Sequence, residues 1–270
     1  YGVPMISPSS TNPRVTVGRD MVFRVCFIDP FQGYVGAKFA KENLKLEKVA
    51  VLFDQTAPYS KGLRDEFKKH FVALGGMITA DLEFSGGDND FSAQLSNIRS
   101  SGAQAIYVPG YYTEVANIAL QARKLGITIP LLGGDGWDSE QLTKIGGQAI
   151  EGCFYSNHYA PDQASDLVKE FVDKYGKKFP DSQGNAQVPD GLAALGYDAA
   201  YVLFEAMKQS KTLDGKDLRS AIAATKDYRG VTGSITMDKN RDAKKAAVVV
   251  EIKDGKPVWR ATIDPPADAK

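Results

Sequence analysis

Cysteine and histidine are scarce in this chain: only Cys26, Cys153, His70 and His158 among 270 residues. Two cysteines exclude a disulfide framework and a four-cysteine zinc site. With two histidines far apart, metal chemistry is disfavoured, and no cofactor is expected. His70, in Lys68-Lys69-His70, reads as part of a solvated helix face, whereas His158 follows a strand and reads as structural or crevice-lining. Charge of one sign is also missing. Lysine plus arginine (33) equals aspartate plus glutamate (33), so nothing favours nucleic acid or an anionic membrane. No stretch approaches the roughly 18 apolar residues of a membrane span. There is no low-complexity run and no long linker. No charged-then-apolar leader precedes Tyr1-Gly2-Val3-Pro4-Met5, which reads like the middle of a fold and suggests a processed or truncated chain.

Catalytic signatures are missing as well. Gly86-Gly87 and Gly146-Gly147 lack the Lys-Ser/Thr pair of a P-loop and the spacing of a dinucleotide loop. No G-x-S-x-G elbow occurs. Asp135 and Asp138 could pair for acid–base work, but both histidines lie far away in sequence. The expectation is a protein that is not an enzyme.

What is present is a rhythm. Val49–Asp54 leads to Tyr59, Ala105–Gly110 leads to Tyr111, and Pro130–Gly134 leads to Asp135. Short continuous apolar runs alternating with helical patterns indicate a parallel sheet buried on both faces. Helices are predicted over Tyr34–Leu44, Tyr59–Leu74, Asp90–Ile98, Thr113–Leu125 and Ser139–Ile145. Strands are predicted at Lys48–Asp54, Met77–Phe84, Ala105–Val108 and Leu131–Gly134. This is α/β, a doubly wound sheet, in which residues just past the strand carboxyl ends face the ligand crevice.

After Glu151 the rhythm changes. A strand at Cys153–Tyr155 is followed by helical patterns over Gln163–Phe179, Asp190–Lys208 and Asp217–Ala224. Extended segments then follow at Ile235–Met237, Ala246–Ile252 and Val258–Ile263, the last two around the turn signal Asp254-Gly255. Three helices with so few strands need a further sheet, and Pro4–Ser7 is the one short strand on offer. Lobe crossings are placed near residues 25–28, 155–159 and 243–246. Cys26 and Cys153 would lie on two of them, either bridged or as two buried thiols.

Two candidate binding groups emerge. Ser9-Ser10-Thr11 puts three hydroxyls after an apolar strand end, where hydroxyls and backbone N–H groups can receive a carboxylate. A capped turn explains the same residues. Tyr59, Tyr111 and Asp135 could hold a small amine, or be packed aromatics and a turn aspartate.

Several motifs in order settle a resemblance. Pro4–Asn12-Pro13, Phe23-Arg24 with Asp29 and Gln32-Gly33, Tyr59–Leu63, Gly133-Gly134-Asp135-Gly136, Gly196-Tyr197-Asp198-Ala199 and Gly230-Val231-Thr232-Gly233 resemble the branched-chain amino acid (Leu/Ile/Val) binding proteins of bacterial ABC transporters. The resemblance covers essentially the whole chain. It implies the two-lobe type I periplasmic binding protein fold with mostly parallel, doubly wound sheets. The lobes would be residues 1–26 with 156–243, and 27–155 with 244–270. It implies an amino acid in the cleft, hinge closure, and delivery to a membrane permease; the alternative is a sensing module reporting an amino acid or amide to a regulator.

By the same resemblance Ser9, Ser10 and Thr11 meet the ligand's carboxylate and ammonium, Tyr59 and Tyr111 line the cleft, and Asp135, followed by Gly136, pairs with the ammonium. Trp137 roofs the cleft or packs beneath it. The expected location is periplasmic or extracellular, with the signal peptide removed and a lipid anchor on an absent N-terminal segment as one arrangement. Family members begin with roughly a hundred more residues, so the first lobe is expected to be incomplete here and the second complete. A missing N-terminal segment or a second chain would then cover the helices after Glu151.

Overall fold

The computed structural model describes residues 2–266. The chain divides into two compact units. Unit one comprises residues 2–28, 158–248 and 262–266; unit two comprises 29–157 and 249–261. Residues 244–248 and 262–266, expected in the second lobe, thus belong to the first unit. The reason lies in two strands, β11 (Ala247–Lys253) and β12 (Lys256–Ile263), each long enough to run on past the boundary.

Unit two is the doubly wound sheet that the sequence rhythm predicts. Helix α1 (Asp29–Lys38) begins five residues before the predicted Tyr34 and continues as a π-helical turn over Phe39–Asn43. Apolar spacing misses its first turn because Asp29, Gln32 and Gly33, which carry no apolar signal, are buried there. Then follow β3 (Lys48–Asp54), α2 (Pro58–Ala73), β4 (Met77–Phe84), α3 (Ser92–Ser100), β5 (Ala105–Tyr107), α4 (Tyr112–Lys124), β6 (Leu131–Gly133), α5 (Glu140–Gly146) and β7 (Phe154–Asn157). The seven strands run in the order β12-β11-β7-β6-β5-β3-β4, and β4-β3-β5-β6-β7 are all parallel. Val49, Ala50, Val51 and Leu52 are fully buried, as a central parallel strand covered by helices on both faces requires. The core packs Val49, Val51 and Tyr107 against Leu63, Phe67 and Phe71 of α2. From β3 the chain first moves outward to β4, then reverses to β5. That reversal is the topological switch point, where open α/β sheets take their ligands.

Unit one holds β1 (Met5–Ser7) parallel to β2 (Val22–Arg24), and a three-stranded antiparallel sheet of β8 (Tyr228–Gly230), β9 (Gly233–Met237) and β10 (Ala243–Lys244). Its helices are α6 (Asp166–Lys178), α7 (Gly191–Gln209) and α8 (Gly215–Ala223). Each starts at a side-chain cap: Ser165 accepts from the Val168 N–H, Asp190 from that of Ala193, and Asp214 from those of Lys216 and Asp217. The expectation that α6 and α7 lack a partner within this chain is corrected for their inner faces. Leu195, Val202 and Ala206 are buried with Phe23, Val25 and Ile235, and Val168, Phe171 and Ala194 with Tyr159 and Val231. The small sheets suffice for one face. On α7 the residues Leu192, Tyr201, Phe204 and Met207 remain exposed.

The two cysteines are separate buried thiols. Cys26 Sγ donates to the Ser10 carbonyl at 3.5 Å, and Cys153 Sγ accepts from the Leu131 N–H at 3.4 Å. Burial pushes the Cys153 thiol up. His158 is buried and stacks on Phe27 with ring centroids 3.7 Å apart. His70 sits edge-on to Tyr34 and within 3.5 Å of Glu66, and partial burial lowers its pKa.

Lys245 is a buried cation. Its Nζ donates to Thr232 Oγ1, which donates in turn to Asp198 Oδ2; Asp198 also accepts the Val231 and Thr232 N–H groups at 2.8 Å. Desolvation lowers Lys245 from 10.5 to about 8, against the attraction of Asp198. Between those values the unfolded chain binds more protons than the folded one, so this group makes stability rise with pH across that window. Below about 8 the cost of burying the charge is present in full, on the order of 3 kcal/mol. Lys245→Met keeps the length and removes the charge. Urea unfolding should show the stability of the variant relative to wild type falling as pH rises from 8 towards 10. A difference independent of pH would show that the lysine charge carries no folding cost.

Candidate binding site

In unit two three loops leave the carboxyl ends of neighbouring strands at the switch point. Tyr59 stands in the first turn of α2 after β3, Tyr111 is the N-cap residue of α4 after β5, and Asp135 opens a 3₁₀ turn after β6. The structure brings these three sequence-predicted residues together. The Tyr59 and Tyr111 rings stack with centroids 5.3 Å apart. Tyr59 Oη donates to Asp135 Oδ1 at 2.9 Å and accepts the Gly136 N–H at 3.1 Å. Asp135 is 8% exposed, and Tyr111 is half-exposed. Burial first, then the Asp135 charge, pushes the Tyr59 hydroxyl well above its ordinary value, so it stays a proton donor to that carboxylate. Tyr107 and Tyr111 are raised too, both by burial first.

Two residues that the site reading passed over complete the cradle. Gln32 Nε2 donates to the same Asp135 oxygen at 2.9 Å, and Asp29, one helical turn earlier on α1, is buried close enough to raise Tyr107. Both were legible only as motif letters, since a buried polar pair has no apolar periodicity. Trp137 packs beneath this edge: it is fully buried, and its indole N–H donates to the Val108 carbonyl at 3.0 Å. It lies so close to Gly133 that a Cβ there would meet the indole at 2.1 Å, so only glycine fits at the end of β6. Asp138, considered with Asp135 as an acid–base pair, instead accepts the Tyr155 hydroxyl at 2.9 Å.

In unit one the hydroxyl loop follows β1. Thr11 is buried, Ser9 half-buried and Ser10 exposed. The Ser10 N–H donates to Ser7 Oγ at 3.2 Å, which takes it out of the donor set expected of this loop. The loop is anchored by Arg24, fully buried on β2. Its guanidinium donates to the Ser10 carbonyl at 2.7 Å, the Asn12 carbonyl at 2.9 Å and Thr16 Oγ1 at 2.9 Å, while Nε lies 2.6 Å from Asp242 Oδ1 as an ion pair. Asn12 Oδ1 caps the next turn by accepting the Arg14 N–H. Of the three hydroxyl residues on this clamped loop, Ser10 is exposed, Ser9 is partly so and Thr11 is buried.

The chain thus joins a doubly wound unit, with a buried carboxylate and phenols at its switch point, to a second unit through several chain passages. The family described as "Periplasmic binding protein" matches residues 1–257, and this chain belongs to it. Among curated relatives it is 30% identical over 255 residues to a Leu/Ile/Val-binding protein homolog 1 of Brucella suis, which covers 92% of this chain and 65% of the relative. The chain thus spans 65% of the length of that relative. A leucine binding protein, LivK, from Thermotoga maritima is 44% identical with a TM-score of 0.91, over 98% of this chain and 74% of that one. The branched-chain amino acid transporter substrate binding protein LivJ from Streptococcus pneumoniae, in complex with isoleucine, is 32% identical with a TM-score of 0.88, over 98% of this chain and 73% of that one.

Proposed function

We propose that this protein binds an aliphatic L-amino acid and delivers it to the permease of an ABC uptake system, with no chemistry of its own. The observation that carries the reading is the buried Asp135 carboxylate, held by two neutral donors at the switch point. A buried carboxylate at this edge suits a ligand that carries an ammonium. Tyr59 and Tyr111 supply apolar ring faces beside it, and the hydroxyls of Ser9, Ser10 and Thr11 are the groups assigned to the ligand's carboxylate. Relatives named for leucine, isoleucine and valine support the aliphatic class.

A periplasmic or extracellular location follows from the same reading. Among the described residues no helix is long and apolar enough to cross a membrane. The test is calorimetry on the full-length protein with L-leucine, L-isoleucine, L-valine and L-glutamine, alongside 4-methylpentanoate, which is leucine without its amine. Binding of the aliphatic amino acids and none of the amine-free acid is expected. Tight binding of 4-methylpentanoate would overturn the ammonium role of Asp135.

A further inference from the structure

We propose that Gln32 is a positioning residue for ligand binding: it holds the Asp135 carboxylate with a neutral donor, so that the acid meets the ligand's ammonium fixed in place. The inference rests on the amino-acid reading above and goes beyond it. Gln32 lies in the first turns of α1 and is fully buried. Its neighbour Gly33 lets α1 approach α2 closely, since a Cβ at 33 would stand 2.5 Å from Glu66 Cβ and 2.8 Å from the Phe67 backbone nitrogen. That approach brings Gln32 to the α2 residue Tyr59 and to Gly134, whose own Cβ position lies 2.6 Å from Tyr59 Oη and 3.1 Å from Gln32 Nε2. A side chain at 134 would push both donors away from the carboxylate. Gln32 and Gly134 act together.

The orientation of the amide follows from charge. Nε2 faces Asp135 Oδ1 at 2.9 Å, because the opposite orientation would set the amide oxygen against a carboxylate. The Gln32 Oε1 atom is left buried without a hydrogen-bond partner. An apolar side chain of similar size would avoid that orphaned acceptor, so packing alone does not explain a glutamine here. A lysine or arginine would hold Asp135 equally well but would neutralise it. Glutamine is the side chain of this length that donates and leaves the charge alone.

The experiment compares wild type, Gln32→Met and Gln32→Glu. The titratable groups around position 32 are Asp29 on α1, Tyr59 on α2, Tyr107 on β5, Tyr111 at the start of α4, and Asp135 itself. Gln32→Met removes the donor and should weaken L-leucine by about tenfold at every pH from 5 to 8, a charged hydrogen bond lost. Gln32→Glu sets a second carboxylate against Asp135, and two acids in contact cannot both ionise. Its affinity should be lowest at pH 8 and recover towards wild type by pH 5, where the new acid is protonated and donates as the amide did.

A second readout needs no ligand. The Asp135 side-chain carbon signal, followed by NMR through pH 4–9, should show a new titration near neutrality in Gln32→Glu alone. Equal affinities for all three proteins, or Gln32→Glu losses that do not recover in acid, would overturn the positioning role. If wild type binds no amino acid yet the NMR titration appears in Gln32→Glu, the amino-acid reading fails and the Gln32–Asp135 coupling stands. If wild type binds leucine and no new titration appears, the coupling fails and the reading stands.

Discussion

Asp135→Ala should lose L-leucine binding by roughly a hundredfold or more. Leaving one partner of a buried charge pair alone costs about 3–5 kcal/mol, and every 1.4 kcal/mol is about a factor of ten in affinity. The ligand's ammonium is the group that would be stranded, among Tyr59, Tyr111 and the Gly136 backbone, none of which carries charge. Asp135→Asn refines the test. It keeps an oxygen able to accept from Gln32 Nε2 and Tyr59 Oη, so the local hydrogen bonds of the apo protein survive. It removes only the charge. Asp135→Asn should therefore melt close to wild type while failing to bind leucine, whereas Asp135→Ala also strands the Gln32 and Tyr59 donors and should melt lower. Calorimetry returning wild-type leucine affinity for either variant would take Asp135 out of the site.

The fold of unit two was legible because its signals are local. Each central strand is a short apolar run, and each covering helix has its apolar stripe: α2 buries Leu63, Phe67 and Phe71 at spacings of four. Strand order then follows from parallel β-α repeats, and strand order puts Tyr59, Tyr111 and Asp135 on one edge. The start of α1 was not legible. Its first turn is spent on Asp29, Gln32 and Gly33, buried for polar contacts and close approach rather than for apolar area.

The site was legible to the same depth. Residues at strand ends could be picked by position, whereas Gln32 and Arg24, which hold them, sit on a helix and a strand where nothing in the local pattern marks a polar function. Trp137 is fully buried against the end of β6, where Gly133 leaves room for the indole. In unit one the sequence promised helices without a sheet, and the reality is intermediate. Two small sheets bury Leu195, Val202 and Ala206 on one side of α7, while Tyr201 and Phe204 on the other face are exposed. A helix apolar on nearly all sides gives no periodicity from which to tell the two faces apart.

Arg24→Met should be the most damaging single change to unit one. The side chain is fully buried and its guanidinium holds the Ser10 and Asn12 carbonyls, Thr16 Oγ1 and the Asp242 carboxylate. Methionine fills part of the volume and satisfies none of these groups. Burial already pushes Asp242 up, with the Arg24 charge and the Thr16 hydroxyl pulling it down; without Arg24 the carboxylate must take a proton or draw in water. Removing one member of a buried pair costs about 3–5 kcal/mol, a large share of the 5–15 kcal/mol that stabilises an ordinary domain. Arg24→Lys retains the charge but offers three donors on a flexible stem in place of a planar fork, so it should fall between the two.

Pairing the change with Asp242→Asn separates charge from scaffold. The double variant leaves no stranded carboxylate, so its loss in denaturant unfolding should be smaller than the sum of the two single losses. The Ser9–Thr11 loop, proposed to meet the ligand's carboxylate, gives the second readout. Ser10 and Asn12 lose their anchor in Arg24→Met and in the double variant alike, so leucine affinity should stay low in both even where stability partly returns. Full recovery of affinity in the double variant would mean that Arg24 serves the charge of Asp242 and not the geometry of the Ser9–Thr11 loop.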